Sequence, residues 1–205
     1  AFSPPGSQDA SSLVSGLLAD DRLSSNIPRL NGTNAFTGTN SIANNAFNLL
    51  VGQIQFPATQ NASSGANVLD DYEEGTWTPV IGGSGGTSGQ TYAAQVGRYI
   101  KIGRLVCLQA YVALSAKGTI TSAVQIQGFP FPCENTTDLY AAGNISYWVG
   151  LNTAIVFAAF VAVPNSSAAT INVATAAATT NSNLATADLA NTAGFIVSIT
   201  YRTDS

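Results

Sequence analysis

Residues 95–114, QVGRYIKIGRLVCLQAYVAL, decide the fold. Two runs, 97–102 (GRYIKI) and 104–114 (RLVCLQAYVAL), are rich in β-branched and aromatic residues and are punctuated by Gly103. Their apolar residues recur with a period of two, the repeat of a strand, rather than the 3.6 of a helix. In the second run Val106, Leu108, Ala110, Val112 and Leu114 alternate with Leu105, Cys107, Tyr111 and Ala113, so both faces are apolar. A sandwich strand in a lone chain turns one face to water, so a strand apolar on both faces asks for a second partner. The run TAIVFAAFVAV at 153–163 makes the same demand. Burial of these strands under long loops is the alternative.

Further strands are expected at 76–81, 119–127, 139–148, 168–175 and 194–202, bounded by Gly82 through Gly89, Lys117-Gly118, Pro130, Pro132 and Pro164-Asn165. The fold class is therefore all-β, with an antiparallel, jelly-roll-like β-sandwich over residues 70–205. The run GGSGGTSG at 82–89 has no Lys-Ser/Thr ending and precedes no helix, so it reads as a flexible surface loop, not a phosphate cradle. Cys107 lies in a strand pattern and Cys133 in a Pro-flanked turn. Two cysteines make no disulfide framework; they read as two buried thiols or as a single bridge.

Residues 1–69 have another character. Through Asn67 the only charges are Asp9, Asp20, Asp21, Arg22 and Arg29 among many Asn, Ser, Thr and Gly residues. Such a segment buries too little apolar surface to fold alone. In LNGTNAFTGTNSI, however, Leu30, Phe36 and Ile42 recur every six positions around Gly-Thr-Asn cores. That period fits short extended pieces joined by Asn/Gly turns, each placing one apolar residue on a common axis. Three chains wound together would bury that stripe, which makes these three residues the expected core of a trimeric stem; a linker with coincidental spacing is the alternative. Upstream, Leu13, Leu17 and Leu18 share a face and allow one short helix before Pro28. The start, with Phe2, Pro4 and Pro5, reads as an extended peptide that docks elsewhere, and Leu17 and Leu18 complete the expected anchor. An initial Ala is what removal of an initiator Met leaves, and the start lacks the basic and apolar regions of a signal peptide.

Composition narrows the function. Charged residues make up 9% of the 205, against about a quarter in an average soluble domain, so hydroxyls and amides must keep the surface wet. This is common in extracellular β-rich proteins and virion proteins. The net charge is −4 and the seven basic residues are scattered, so nothing steers the chain to nucleic acid. The run from Leu139 to Val163 is interrupted by Gly143, Asn144, Ser146, Gly150 and Asn152, short of the ~20 apolar residues of a membrane helix.

With no His, acid–base chemistry falls to carboxylates, Tyr or Lys. The one acidic cluster is Asp70, Asp71, Glu73 and Glu74 in LDDYEEGTW. Acids this close in sequence point in different directions instead of facing each other across a substrate, so a solvated turn or an intersubunit salt-bridge patch is expected. The calcium loop with its fixed Gly is absent. Neither a catalytic residue, a metal nor a cofactor is expected. Tyr147-Trp148 is the most suggestive sugar-stacking pair, with packing as its alternative.

The stretches IQFPATQNASSGANVLDDYEEGTWTPVIGG (54–83) and QVGRYIKIGRLVCLQAYVAL (95–114) resemble a module of tailed-bacteriophage fibre and appendage proteins. In it a DDYEEGTWTP entry precedes a loop, a GRYTKIG strand and a β-sandwich; here Ile100 stands where Thr is often seen. The upstream SGLLADDRLSSNIPRLNGTNAFTGTNSI resembles the stem repeats of such proteins. The resemblance implies a homotrimer held to another virion protein by its N-terminus, with an interwoven stem and a distal sandwich. It also implies assembly in the host cytoplasm, exposure on the particle, and contact with a host-surface glycan or protein. About 70 residues of stem are short for a tail fibre, which opens a capsid-mounted head fibre or decoration protein as the alternative; a glycan-degrading tailspike is a third. Residues 139–205 match no part of the module.

Overall fold

The computed structural model of the chain describes residues 52–58, 68–69 and 71–204. The anchor residues Phe2, Pro4, Pro5, Leu17 and Leu18, the stem residues Leu30, Phe36 and Ile42, and the short helix all lie outside the described residues. Ile54–Ser205 forms one compact unit.

Its elements are β1 (Tyr72–Trp77), β2 (Val80–Gly83), β3 (Gly86–Ser88), β4 (Thr91–Ile102), β5 (Leu105–Ala116) and β6 (Thr119–Thr121). They continue with β7 (Val124–Gln127), β8 (Ala141–Leu151), β9 (Phe157–Ala162), β10 (Ala168–Ala174), β11 (Ser182–Asn183) and β12 (Leu189–Arg202). A single 3-10 turn at Thr186–Asp188 is the one helical element among the described residues. The all-β, antiparallel architecture is as expected.

The main sheet follows the path β1-β4-β5-β12-β8-β9-β10-β7-β2, with β11 beside β10, and β3 pairs β6 separately. Its two end strands are consecutive in the chain, joined only by Thr78 and Pro79. A flat nine-strand path would hold its ends about 38 Å apart at ~4.8 Å per strand gap. Three Cα steps reach at most about 11 Å. The sheet must therefore curl into a half-barrel, and the two layers expected of a sandwich are the two arms of one sheet. The single strand expected over 76–81 is in fact divided. Pro79 offers no N–H to a ladder, and the chain instead crosses there from one end of the sheet to the other.

Each long strand turns alternate residues inward. On β5 these are Val106, Leu108, Ala110 and Val112, and on β12 Phe195, Val197, Ile199 and Tyr201. The run 82–89 is not a free loop. Gly83 belongs to β2, where a Cβ would collide with the Thr121 carbonyl oxygen, and Gly86–Ser88 pairs with β6. Gly82, Gly83 and Gly85 allow close approach, whereas Gly86 and Gly89 take positive φ values of 146° and 74°. Residues 119–127 break into β6 and β7 at Ser122, whose φ is 65°.

The interior is closed by GFPFPC, 128–133, a segment outside any strand that bends at Pro130 and Phe131, as its prolines suggest. Phe129, Phe131 and Cys133 point inward with period two. Phe129 lies edge-on to Trp77 of β1 (5.7 Å between centroids) and to Phe160 of β9 (6.0 Å), and stacks on Tyr201 of β12 (5.5 Å). The Tyr201 hydroxyl donates to the Phe131 carbonyl at 2.7 Å, and burial raises that phenol's pKa. One ring thus ties three well-separated strands. Replacing Phe129 with Ala should cost about 3–5 kcal/mol, since rings packed on three sides cannot collapse into the space; urea denaturation at fixed protein concentration measures it.

Beyond the plug, Glu134 accepts from Arg202 (2.9 Å) and lies 3.1 Å from Arg104, which also pairs with Asp204. Burial pushes the Glu134 carboxyl up, but hydrogen bonds from Arg202 and Thr136 and the charges of both arginines together hold it below the usual range. A carboxylate depressed in the folded chain stabilises it above the unfolded pKa, and that contribution is lost as pH falls through the folded pKa. Glu134→Gln should therefore flatten the decline of melting temperature below about pH 4.3, read by thermal melts across the acid range.

Candidate functional site

The acidic cluster and the GRYIKIG run are two sides of one ladder. β1 pairs with β4 in the register Glu73↔Lys101, Gly75↔Tyr99 and Trp77↔Gly97. Each glycine faces an aromatic: a Cβ at Gly97 would come within 2.5 Å of the Trp77 indole, and one at Gly75 within 2.7 Å of the Tyr99 hydroxyl. The Trp77 ring reaches across Gly97, and its N–H meets the carbonyls of Arg98 and Gln109 at 3.3 Å.

The acids have separate fates. Asp71 is buried and bonds the Lys101 ammonium at 2.5 Å, with Lys101 itself fully buried. That ammonium also lies 5.5 Å from the centre of the Phe131 ring, which Tyr99 meets edge-on. Glu73 accepts from the Tyr99 hydroxyl; this bond, burial and the Glu73 charge push the phenol up to about 12. Glu74 faces outward, and Asp70 lies outside the described residues. The expected solvated turn is a strand, with one acid inside and its neighbours on alternate sides.

The outward faces of β1, β4, β5, β12 and β8 form the most distinctive surface. Register places Val96, Tyr111, Ile196 and Tyr147 in one row across four strands, exposed by 58, 41, 42 and 44%. At the other end Tyr72, Ile102 and Leu105 form a second exposed apolar row. Ile100 and Cys107 lie between them beside Glu74 and Thr200, and Arg98 and Gln109 beside Thr76 and Ser198. Val149 of β8 extends the first row outward. This is the outer half of the two-faced β5 pattern, open to solvent in the single chain. Phe56 rests against Tyr72 with 6.5 Å between centroids.

Open grooves of about 420 and 460 Å³ cross this face and share Arg98 and Gln109. Glu74 is the one carboxylate lining them, so they offer no pair of acids across a cleft. Among the described residues no group of three or more His, Cys, Asp or Glu is placed to hold a metal ion, and no helix is long and apolar enough to cross a membrane. Both thiols are free: Cys133 is buried and its pKa raised to about 11 by that burial, whereas Cys107, against the expectation of two buried thiols, is exposed on the outer face. Tyr147 and Trp148 do not form a stacking pair. Tyr147 faces outward, and Trp148 packs against the core. In comparisons with known proteins, no family model, curated protein or solved structure matches the chain.

The interior ion pair carries a sharp expectation. Asp71→Ala strands a buried ammonium and should cost about 3–5 kcal/mol, whereas replacing both partners, Asp71→Leu with Lys101→Met, should recover most of that loss. Equilibrium denaturation of the two variants compares them directly; a double variant no more stable than the single one would refute the account.

Proposed function

We propose that this chain is a non-catalytic structural protein of a bacteriophage particle, a homotrimeric fibre or appendage subunit. In this reading it is fixed to another virion protein by its N-terminal segment and meets a host-surface glycan or protein through its β head. The observation that carries the reading is the exposed apolar outer face, since single-chain proteins rarely leave apolar patches of more than a few hundred Å² open to water. The DDYEEGTWTP and GRYIKIG stretches support it in a second way. Within them Tyr72–Trp77 and Gly97–Ile102 interlock residue by residue in one ladder, so the likeness to the phage module falls on residues that pair directly. Three copies would present three linked sites, and weak contacts with a host surface would add by avidity.

The purified chain should run at three times its 21.0 kDa mass by mass photometry. Antibody raised against it should decorate phage particles in electron micrographs, at the tail for an attachment fibre. Label on the shell would replace attachment with capsid decoration. Unlabelled particles, or reducing ends released from host polysaccharide, would overturn the proposal.

A further inference from the structure

Resting on that homo-oligomeric reading, we infer which surface the copies share: the outward face of β1, β4, β5, β12 and β8 is the contact with a second copy of this chain, centred on the row Val96, Tyr111, Ile196 and Tyr147. Nine large apolar side chains on this face are each 41–58% exposed. Together they leave roughly 700 Å² of apolar surface open, close to the ~800 Å² each partner contributes to a standard interface. The inward sets of the same strands are already satisfied by the core, so no rearrangement of the head would bury these residues.

Charge favours a copy over a partner of another kind. Glu74 on β1 and Arg98 on β4 stand on this face two positions apart in register. Among the described residues neither is in an ion pair. With one unpaired charge of each sign, Glu74 of one copy can meet Arg98 of the next around a three-fold axis, whereas a strongly acidic or basic partner would leave one of the two opposed. Between the apolar rows lie Thr76, Gln109, Ser198 and Asn144, short or uncharged groups that can hydrogen-bond across an interface without the cost of burying ions. Both lysines of the head are withdrawn from the face: Lys101 is buried, and the Lys117 ammonium is held by the carbonyls of Thr186 and Leu189. The outward side of these strands thus carries no lysine whose ammonium would have to be desolvated on association.

Cys107, at the middle of the face, reports whether it is covered, because Cys133 is buried and slow to react. In the 205-residue chain, Val96→Asp with Ile196→Asp alters two exposed positions and should leave the far-UV spectrum of the head intact. The wild-type chain should show an oligomeric mass and a protected Cys107. The double variant should fall to 21.0 kDa, and Cys107 should react with a disulfide reagent at least about tenfold faster. A second pair guards against a folding artefact: Glu74→Arg should weaken the assembly, and adding Arg98→Glu should restore it. An oligomer unaffected by both sets of changes would overturn the surface while leaving self-association standing. A wild-type monomer with reactive Cys107 would overturn both. A wild-type monomer with protected Cys107 would show that another part of the same chain covers the face, and would overturn the inference equally.

Discussion

The two residues between β1 and β2 constrain everything else. Because Thr78 and Pro79 alone connect the ends of a nine-strand path, the sheet cannot stay open. Strand twist supplies some of the curvature, but an incompletely closed half-barrel needs something inside it. The GFPFPC segment supplies that filling. The backbone bends at Pro130 and Phe131; Phe129, Phe131 and Cys133 enter in succession, and Phe129 meets side chains from both arms of the curl. Closure and plug depend on each other: without the short link the arms would spread, and without the rings they would enclose a void.

The same constraint explains why a lysine can be buried. Lys101 faces the interior because its neighbours on β4 must alternate, and the ladder places Asp71 at the mouth of β1 to receive it. A buried ion pair is weak evidence of net stability, because desolvation offsets most of the attraction. It is better evidence of register. Slipping β1 by one residue against β4 would strand the ammonium and drive Trp77 off Gly97 into a residue with a side chain. Charge, aromatic and glycine therefore specify one alignment together, which accounts for the length of the DDYEEGTWTP and GRYIKIG strings without any catalytic role for their acids.

What can be read in the sequence follows from where the physics is local. β5 and β12 are legible because inside–outside alternation is written directly in RLVCLQAYVAL and GFIVSITYR. β1 is not: YEEG has poor strand propensity and four nearby acids resemble a solvated turn, and only pairing with a strand some 25 residues away reveals its place. GGSGGTSG misleads for the same reason, since glycine signals flexibility unless the backbone that crowds it is known. The division of TWTPVI between opposite ends of the sheet is a topological fact with no local signature beyond Pro79. The surplus apolar face of β5, by contrast, is plain from its residues alone, because a period-two pattern with hydrophobes in both phases leaves one set unburied in any single sheet.

That surplus face also gives the sparse charge of the chain a consequence. A surface kept wet by hydroxyls and amides loses less on desolvation than one covered by ions, so it can be buried against another subunit at modest cost. Of the described ion pairs, one is inside the head, and the others gather at one end of the outer face, where Arg202, opposite Leu105 in register, and Arg104 clasp Glu134. Ionic groups thus lock the fold and its ends, leaving the broad side of the sheet to apolar rows separated by small polar residues. In the proposed assembly, association on such a side would be driven by area and shape, with Glu74 and Arg98 setting the register between copies rather than the strength of their union.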